Sequence, residues 1–145
     1  MTGTDFFVFI VSLPGESDAR QFITENASGS TSQAASITEA IECGMRALFI
    51  DEDTSATNLL LRDSRMRKLV RTEPIIPLVD RVGGIRDELE VSTIMVLGGS
   101  GDFMDLADTV LLLENYMPYA ATARAREVKG ADDADSRQAR AATTT

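Results

Sequence analysis

The sequence predicts an α/β domain with a mostly parallel sheet flanked by helices. Three observations carry that prediction. Short apolar segments rich in β-branched and aromatic residues alternate with segments of helical period. Glycine, proline or acidic turns punctuate the junctions between them. Two of the apolar segments end abruptly in turns built from chemistry-bearing residues, Asp51-Glu52-Asp53 and Gly98–Asp102. In parallel sheets ligands bind beyond the carboxyl ends of the strands, so these two turns are the first candidates for a site.

The elements follow in order. Phe6–Leu13 reads as a buried strand closed by Pro14-Gly15. The run Ala27-Ser-Gly-Ser-Thr-Ser-Gln33 leads into a helix whose apolar positions are Ala34, Ile37, Ala40 and Ile41, with Gly44 where a C-terminal glycine is expected. Arg46–Ile50 is a short strand. A loop over residues 54–58 precedes a helix from about Leu59 to Arg71, and Pro74 and Pro77 break the chain after it. A further helix is predicted over Leu78–Leu89, weakened by Gly83-Gly84 at roughly 1 kcal/mol per glycine. Val91–Leu97 is a strand, a turn follows at Phe103–Ala107, and Thr109–Leu113 is the last strand. From about Gly130 the sequence has no periodicity, so residues 130–145 are expected to be a disordered polar tail after a single domain over 1–129.

Composition narrows the function. At 145 residues, with 43% hydrophobic and 26% charged side chains, the chain can build a core of its own. A net charge of −9 argues against a free-standing nucleic-acid binder or a protein that binds anionic membranes. The single cysteine, Cys43, excludes an internal disulfide and a cysteine-cluster zinc site. The absence of histidine excludes Ser–His and Cys–His catalysis and histidine-ligated metals. No apolar run approaches the ~18 residues of a membrane span, and the apolar stretch near the start has no basic region before it. A cytoplasmic protein is expected.

The candidate segments carry distinct chemistry. Three carboxylates in a row repel one another unless a cation offsets them. Mg²⁺ takes oxygen ligands and keeps water and phosphate in its shell, and a neighbouring carboxylate can orient a water. The same residues also suit a solvated turn with acidic helix caps. The run Ser28–Ser32 places small hydroxyl residues at a helix N-terminus, which suits a phosphate, or serves only as a serine-rich cap. Gly98–Asp102 offers a glycine pair that permits positive φ and close ligand approach, or a structural turn. The patterns G-x-x-x-x-G-K-[S/T] and G-x-G-x-x-G do not occur. Arg62, Arg65, Arg67, Lys68 and Arg71 form a basic cluster that reads as a solvated helix face or a phosphate or partner contact.

Order and spacing join these segments. Asp51 follows Ser28 by 23 positions, and Asp51-Glu-Asp-Thr-Ser-Ala-Thr-Asn58 resembles the Walker B and D-loop stretch of ATP-binding-cassette ATPases, commonly D-E-A-T-S-A-L-D. Ala27-Ser-Gly-Ser-Thr31 stands where that superfamily carries its L-S-G-G-Q signature. Ser92–Leu97 resembles the strand before the switch loop, and Ala107-Asp-Thr-Val-Leu-Leu-Leu-Glu114 the segment after it. Ala27–Ala35, Ile50–Asn58 and Gly98–Asp102 together resemble the soluble, non-transporter family of predicted ATPases of the ABC class, over roughly Leu13 to Tyr119.

The resemblance implies a P-loop NTPase-type fold, ATP and Mg²⁺ as ligands, and hydrolysis of ATP. Asp51 would hold the metal and Glu52 would polarise the attacking water. Ser28, Gly29, Ser30 and Thr31 would contact the nucleotide phosphate, in trans across a dimer. Ser55, Ala56, Thr57 and Asn58 would form the D-loop and couple the two sites. Ser100 and Asp102 occupy the switch region, where the family's usual histidine has no counterpart. The Walker A loop, the adenine-binding segment and the Q-loop have no counterpart either. The resemblance therefore implies the C-terminal portion of a nucleotide-binding domain, acting as a homodimer or with a Walker A-bearing partner. Nucleic acid would enter only through a full-length context. Without the phosphate cradle, a catalytically silent interaction or dimerisation module is the alternative. A receiver-like Mg²⁺ domain is disfavoured because Lys68 and Lys129, the only lysines, lie at no strand end.

Overall fold

The computed structural model describes Phe9, residues 26–70 and residues 75–142, with side chains described as far as residue 134. The chain divides into two units, residues 1–99 and residues 100–145.

In the first unit, helix α1 (Gly29–Glu42) starts where the hydroxyl-rich run predicts. Ser28 is extended at the N-cap (φ −63°, ψ 156°) and its Oγ accepts the Thr31 N–H at 3.3 Å, satisfying one of the otherwise orphaned amides of the first turn. Gly44 adopts φ +85°, its N–H donates to Ile41 at 2.9 Å, and the Met45 N–H donates to Ala40 at 3.1 Å. That paired bonding with a left-handed residue is the Schellman ending, and glycine enters it without a Cβ penalty.

Strand β1 (Ala47–Asp51) follows and pairs in parallel with β2 (Ser92–Val96), in a register running from Ala47 opposite Ser92 to Asp51 opposite Val96. Both strands lie within a residue of the predicted spans. A parallel pair needs a crossover, and residues 52–91 supply it. The predicted helix 59–71 is two short ones, α2 (Thr57–Leu60) and α3 (Ser64–Leu69). Leu61 is extended (φ −150°, ψ 163°) and the Asp63 carboxylate accepts the Arg65 and Met66 N–H groups at 2.7 and 3.4 Å. A capping aspartate inside a helical pattern restarts the helix, which periodicity alone does not reveal. The predicted helix 78–89 likewise divides into a 3-10 turn (Leu78–Asp80) and α4 (Val82–Leu89). Arg67 on α3 pairs with Asp80 at 2.7 Å. The Arg86 guanidinium donates to Asp87 and holds its carboxyl below the usual carboxylate range.

Phe9, Ala34, Leu48, Leu59, Leu60, Ile75, Leu78, Ile85 and Val91 are buried. Phe9 falls in the predicted first strand, whose other residues lie outside the described ones; its carbonyl accepts the Ile76 N–H at 2.7 Å. The opposite face of the β1–β2 pair is bare: Phe49 is 78%, Ile94 52% and Val96 64% exposed. Each strand thus has one more covered and one exposed face.

The second unit corrects the predicted last strand. β3 (Leu111–Glu114) pairs antiparallel with β4 (Met117–Ala120), apart from the parallel sheet. Asn115 and Tyr116 both take positive φ, 51° and 62°, as a two-residue hairpin requires. Pro118 hides β4 from sequence reading, because proline argues against a strand. Thr122 Oγ1 accepts the Val110 N–H at 2.9 Å at the start of α5 (Thr122–Ala142), and Lys129 pairs with Asp105 of a 3-10 turn (Met104–Leu106) at 3.6 Å. α5 continues past Gly130 through residues expected to form a polar tail; alanine, arginine and glutamine there favour helix even without an apolar stripe.

Gly44→Ala and Gly83→Ala should shift stability in opposite directions. The first forces a Cβ into φ +85° and costs about 1–2 kcal/mol. The second places a methyl on α4 with nothing within 4 Å and gains about 0.5–1 kcal/mol. Urea denaturation of both variants checks the pair, and shifts of the same sign would contradict these backbone assignments.

Candidate functional site

Three segments of the first unit converge through hydrogen bonds between residues far apart in sequence. The first is the start of α1. Ser28 Oγ lies 3.2 Å from Ser30 Oγ and 2.9 Å from Thr31 Oγ1, and Ser30 is buried. No acidic residue occupies the first turn of α1, so its N-terminal partial positive charge is not offset locally.

The second is the turn after β1. Thr54 Oγ1 donates to Asp51 Oδ2 at 3.1 Å and approaches the Asp51 carbonyl at 3.4 Å. The Ser55 N–H donates to the Glu52 carbonyl at 3.3 Å, and Asp53 is exposed. This turn is bound to α1 by two side chains. Gln33 donates through Nε2 to the Thr54 carbonyl at 3.3 Å and accepts the Ala56 N–H on Oε1 at 2.8 Å. Asn58 Nδ2 donates to Ser30 Oγ at 3.0 Å. Residues 28–31 and 55–58, read separately from sequence, are thus one hydrogen-bonded cluster within a single chain. Ala56 begins α2 without a side-chain cap of its own.

The third segment follows β2. The Glu52 N–H donates to the Val96 carbonyl at 3.0 Å, continuing the β1–β2 ladder one step beyond Asp51. Glu52 Oε2 accepts the Gly98 N–H at 2.7 Å and the Gly99 N–H at 2.9 Å. Neither glycine uses the positive φ that the sequence suggested; among the described glycines, Gly44 does. Ser100 and Asp102 belong to the second unit, where Ser100 Oγ donates to Asp102 Oδ2 at 3.4 Å.

Sequence reading missed Gln33 and the partners of Glu52. Gln33 lies three positions after Ser30, so helical spacing places both on one face of α1. The Glu52 contact had no such signal, because it depends on two backbone amides 46 and 47 positions away.

Among the described residues, no three His, Cys, Asp or Glu side chains gather as a preformed metal cluster. Mg²⁺ does not require one: it is held by one or two carboxylates together with water and phosphate oxygens. Asp51 at the carboxyl end of β1, with the Thr54 hydroxyl beside it, is an oxygen set of that kind.

A family model of the ABC_ATPase P-loop domain matches residues 1–145. The chain belongs to the ABC_ATPase family. Its mixed α/β architecture with a small parallel sheet agrees with that membership, and nucleotide binding is what the family implies. A search of curated proteins returned no match. No described helix of this ABC_ATPase member is long and apolar enough to cross a membrane.

Gln33→Met keeps the side-chain length and removes both hydrogen bonds to the 54–56 turn. It should cost about 1–2 kcal/mol of stability and speed amide exchange at Ala56. Unchanged exchange at Ala56, read by NMR, would contradict the tie between α1 and the turn.

Proposed function

We propose that this chain binds Mg·ATP and supports its hydrolysis, contributing the signature (Ser28–Thr31), Walker B (Asp51, Glu52) and D-loop (Ser55–Asn58) elements of a composite site. Family membership supplies the nucleotide. The observation that carries the finer reading is the convergence of these three segments at the carboxyl end of the parallel pair.

Each group has a role that its chemistry supports. Asp51 and the Thr54 hydroxyl are the oxygen set for Mg²⁺, which would neutralise phosphate charge when bound. Glu52 orients and polarises the attacking water, its carboxylate fixed by two backbone donors. The Ser28 and Thr31 hydroxyls and the first amides of α1 offer hydrogen bonds and partial positive charge to phosphate oxygens, while the buried Ser30 ties this helix start to Asn58. Positioning and charge neutralisation make up most of phosphoryl-transfer catalysis, and this polar set supplies part of both without histidine. The remaining phosphate cradle, for which the sequence has no Walker A pattern, is assigned to a Walker A-bearing partner. Residues 1–129 form the catalytic portion in this reading, and Ser100 and Asp102 are the switch-region groups.

A second reading rests on the uncovered sheet face. Phe49 and Ile94 lie opposite each other in the register and are mostly exposed, as an interaction or dimerisation module would have them. Such a module would form a stable assembly with no nucleotide dependence.

A fluorescent ATP analogue titrated into the full chain with a Walker A-bearing partner supplied, with and without Mg²⁺, separates these readings. Saturable Mg²⁺-dependent binding, weakened about tenfold or more by Asp51→Asn, is the expected result. Binding that is indifferent to Mg²⁺ and to Asp51→Asn would overturn the metal assignment. With the Walker A-bearing partner supplied, Glu52→Gln should lower turnover by about 100-fold or more while nucleotide stays bound. Unchanged hydrolysis would remove Glu52 from the mechanism.

A further inference from the structure

The Glu52 carboxylate is gripped by a loop of a different strand. Its main chain extends the β1–β2 ladder through Val96, but its side chain reaches past β2 to the two residues that follow Leu97. Two successive amides, Gly98 at 2.7 Å and Gly99 at 2.9 Å, converge on the single oxygen Oε2. Successive N–H groups aimed at one anionic oxygen form a nest, and hydrogen bonds to a charged acceptor are the stronger kind.

Sterics do not explain why this loop is built as it is. A Cβ added at Gly98 would meet nothing within 4 Å, and one at Gly99 would meet Glu52 Oε1 at 3.8 Å, an ordinary contact. Neither residue needs the left-handed region. The property that the loop supplies to Glu52 is therefore its pair of N–H donors. That property survives substitution by alanine and is lost on substitution by proline.

We propose that Gly98 and Gly99 are positioning residues for Glu52, their amides setting where its carboxylate sits. The inference rests on the reading of Glu52 as the group that polarises water. Any event that moves residues 98–99 then moves the carboxylate with them, so the loop after β2 governs the base carried by β1. A base displaced by about an ångström loses much of its effect, because proton transfer depends on hydrogen-bond distance.

Amide exchange of the ¹⁵N-labelled full chain, and its turnover with the Walker A-bearing partner supplied, test the proposal. In the unaltered chain, Gly98 and Gly99 should exchange about tenfold more slowly than in Glu52→Ala, the scale set by a hydrogen bond to a charged group. Gly98→Ala should keep the slow exchange of Gly99. In ATP turnover, Gly99→Pro should lower kcat about tenfold and leave KM within about twofold, and Gly99→Ala, which restores the N–H, should recover most of kcat. Equal exchange in the unaltered chain and Glu52→Ala would overturn the proposal. So would equal losses of kcat in the proline and alanine variants, because the N–H would then not be the property that matters. The catalytic reading of Glu52 fails separately: full hydrolysis by Glu52→Gln would refute it while leaving the exchange result in place.

Discussion

The parallel pairing of β1 and β2 is the constraint from which the site follows. Its register brings Asp51 opposite Val96, so both strands end at the same level. One further ladder bond, from the Glu52 N–H to the Val96 carbonyl, carries the pairing past the last strand residue. Glu52 and the glycine pair are separated by more than forty positions in the chain, yet they leave the sheet side by side. A slip of one residue would turn Glu52 to the other face and take its carboxylate away from the two amides. The register is held by apolar burial on the covered face, where Leu48 packs away from solvent.

A second constraint works through polar side chains. Gln33 uses both ends of its amide on the 54–56 turn, and Asn58 reaches back to the buried Ser30 hydroxyl. These bonds offset the polarity of a serine-rich helix start lying against the core, since a buried hydroxyl without a partner is costly. They also join the start of α1 and the turn after β1 through three hydrogen bonds.

Much of the local structure was legible from residues alone. Ser28 and Gly44 bracket α1 because one offers a capping oxygen and the other tolerates φ +85°. The spans of β1 and β2 follow from short apolar runs stopped by acidic residues and glycines. Where periodicity misled, a local competitor won. Asp63 restarted a helix that the apolar pattern treated as continuous, and Pro118 concealed a strand whose turn, Asn115-Tyr116, still closed a hairpin. Alanine-rich propensity carried α5 beyond Gly130, where hydrophobic pattern gave no reason to expect a helix.

By itself the sequence determined the class of chemistry. With no histidine and one cysteine, it left carboxylates, hydroxyls and backbone amides as the candidate groups, and the order of its motifs pointed to an ABC-type ATPase. Tertiary structure decided which of these groups meet. The fork of Gln33, the reach of Asn58 to Ser30 and the grip of Gly98 and Gly99 on Glu52 each join residues 21 to 47 positions apart. Contacts at that separation depend on strand register and helix docking. A backbone amide is identical at every non-proline position, so no residue type announces that it will hold a carboxylate.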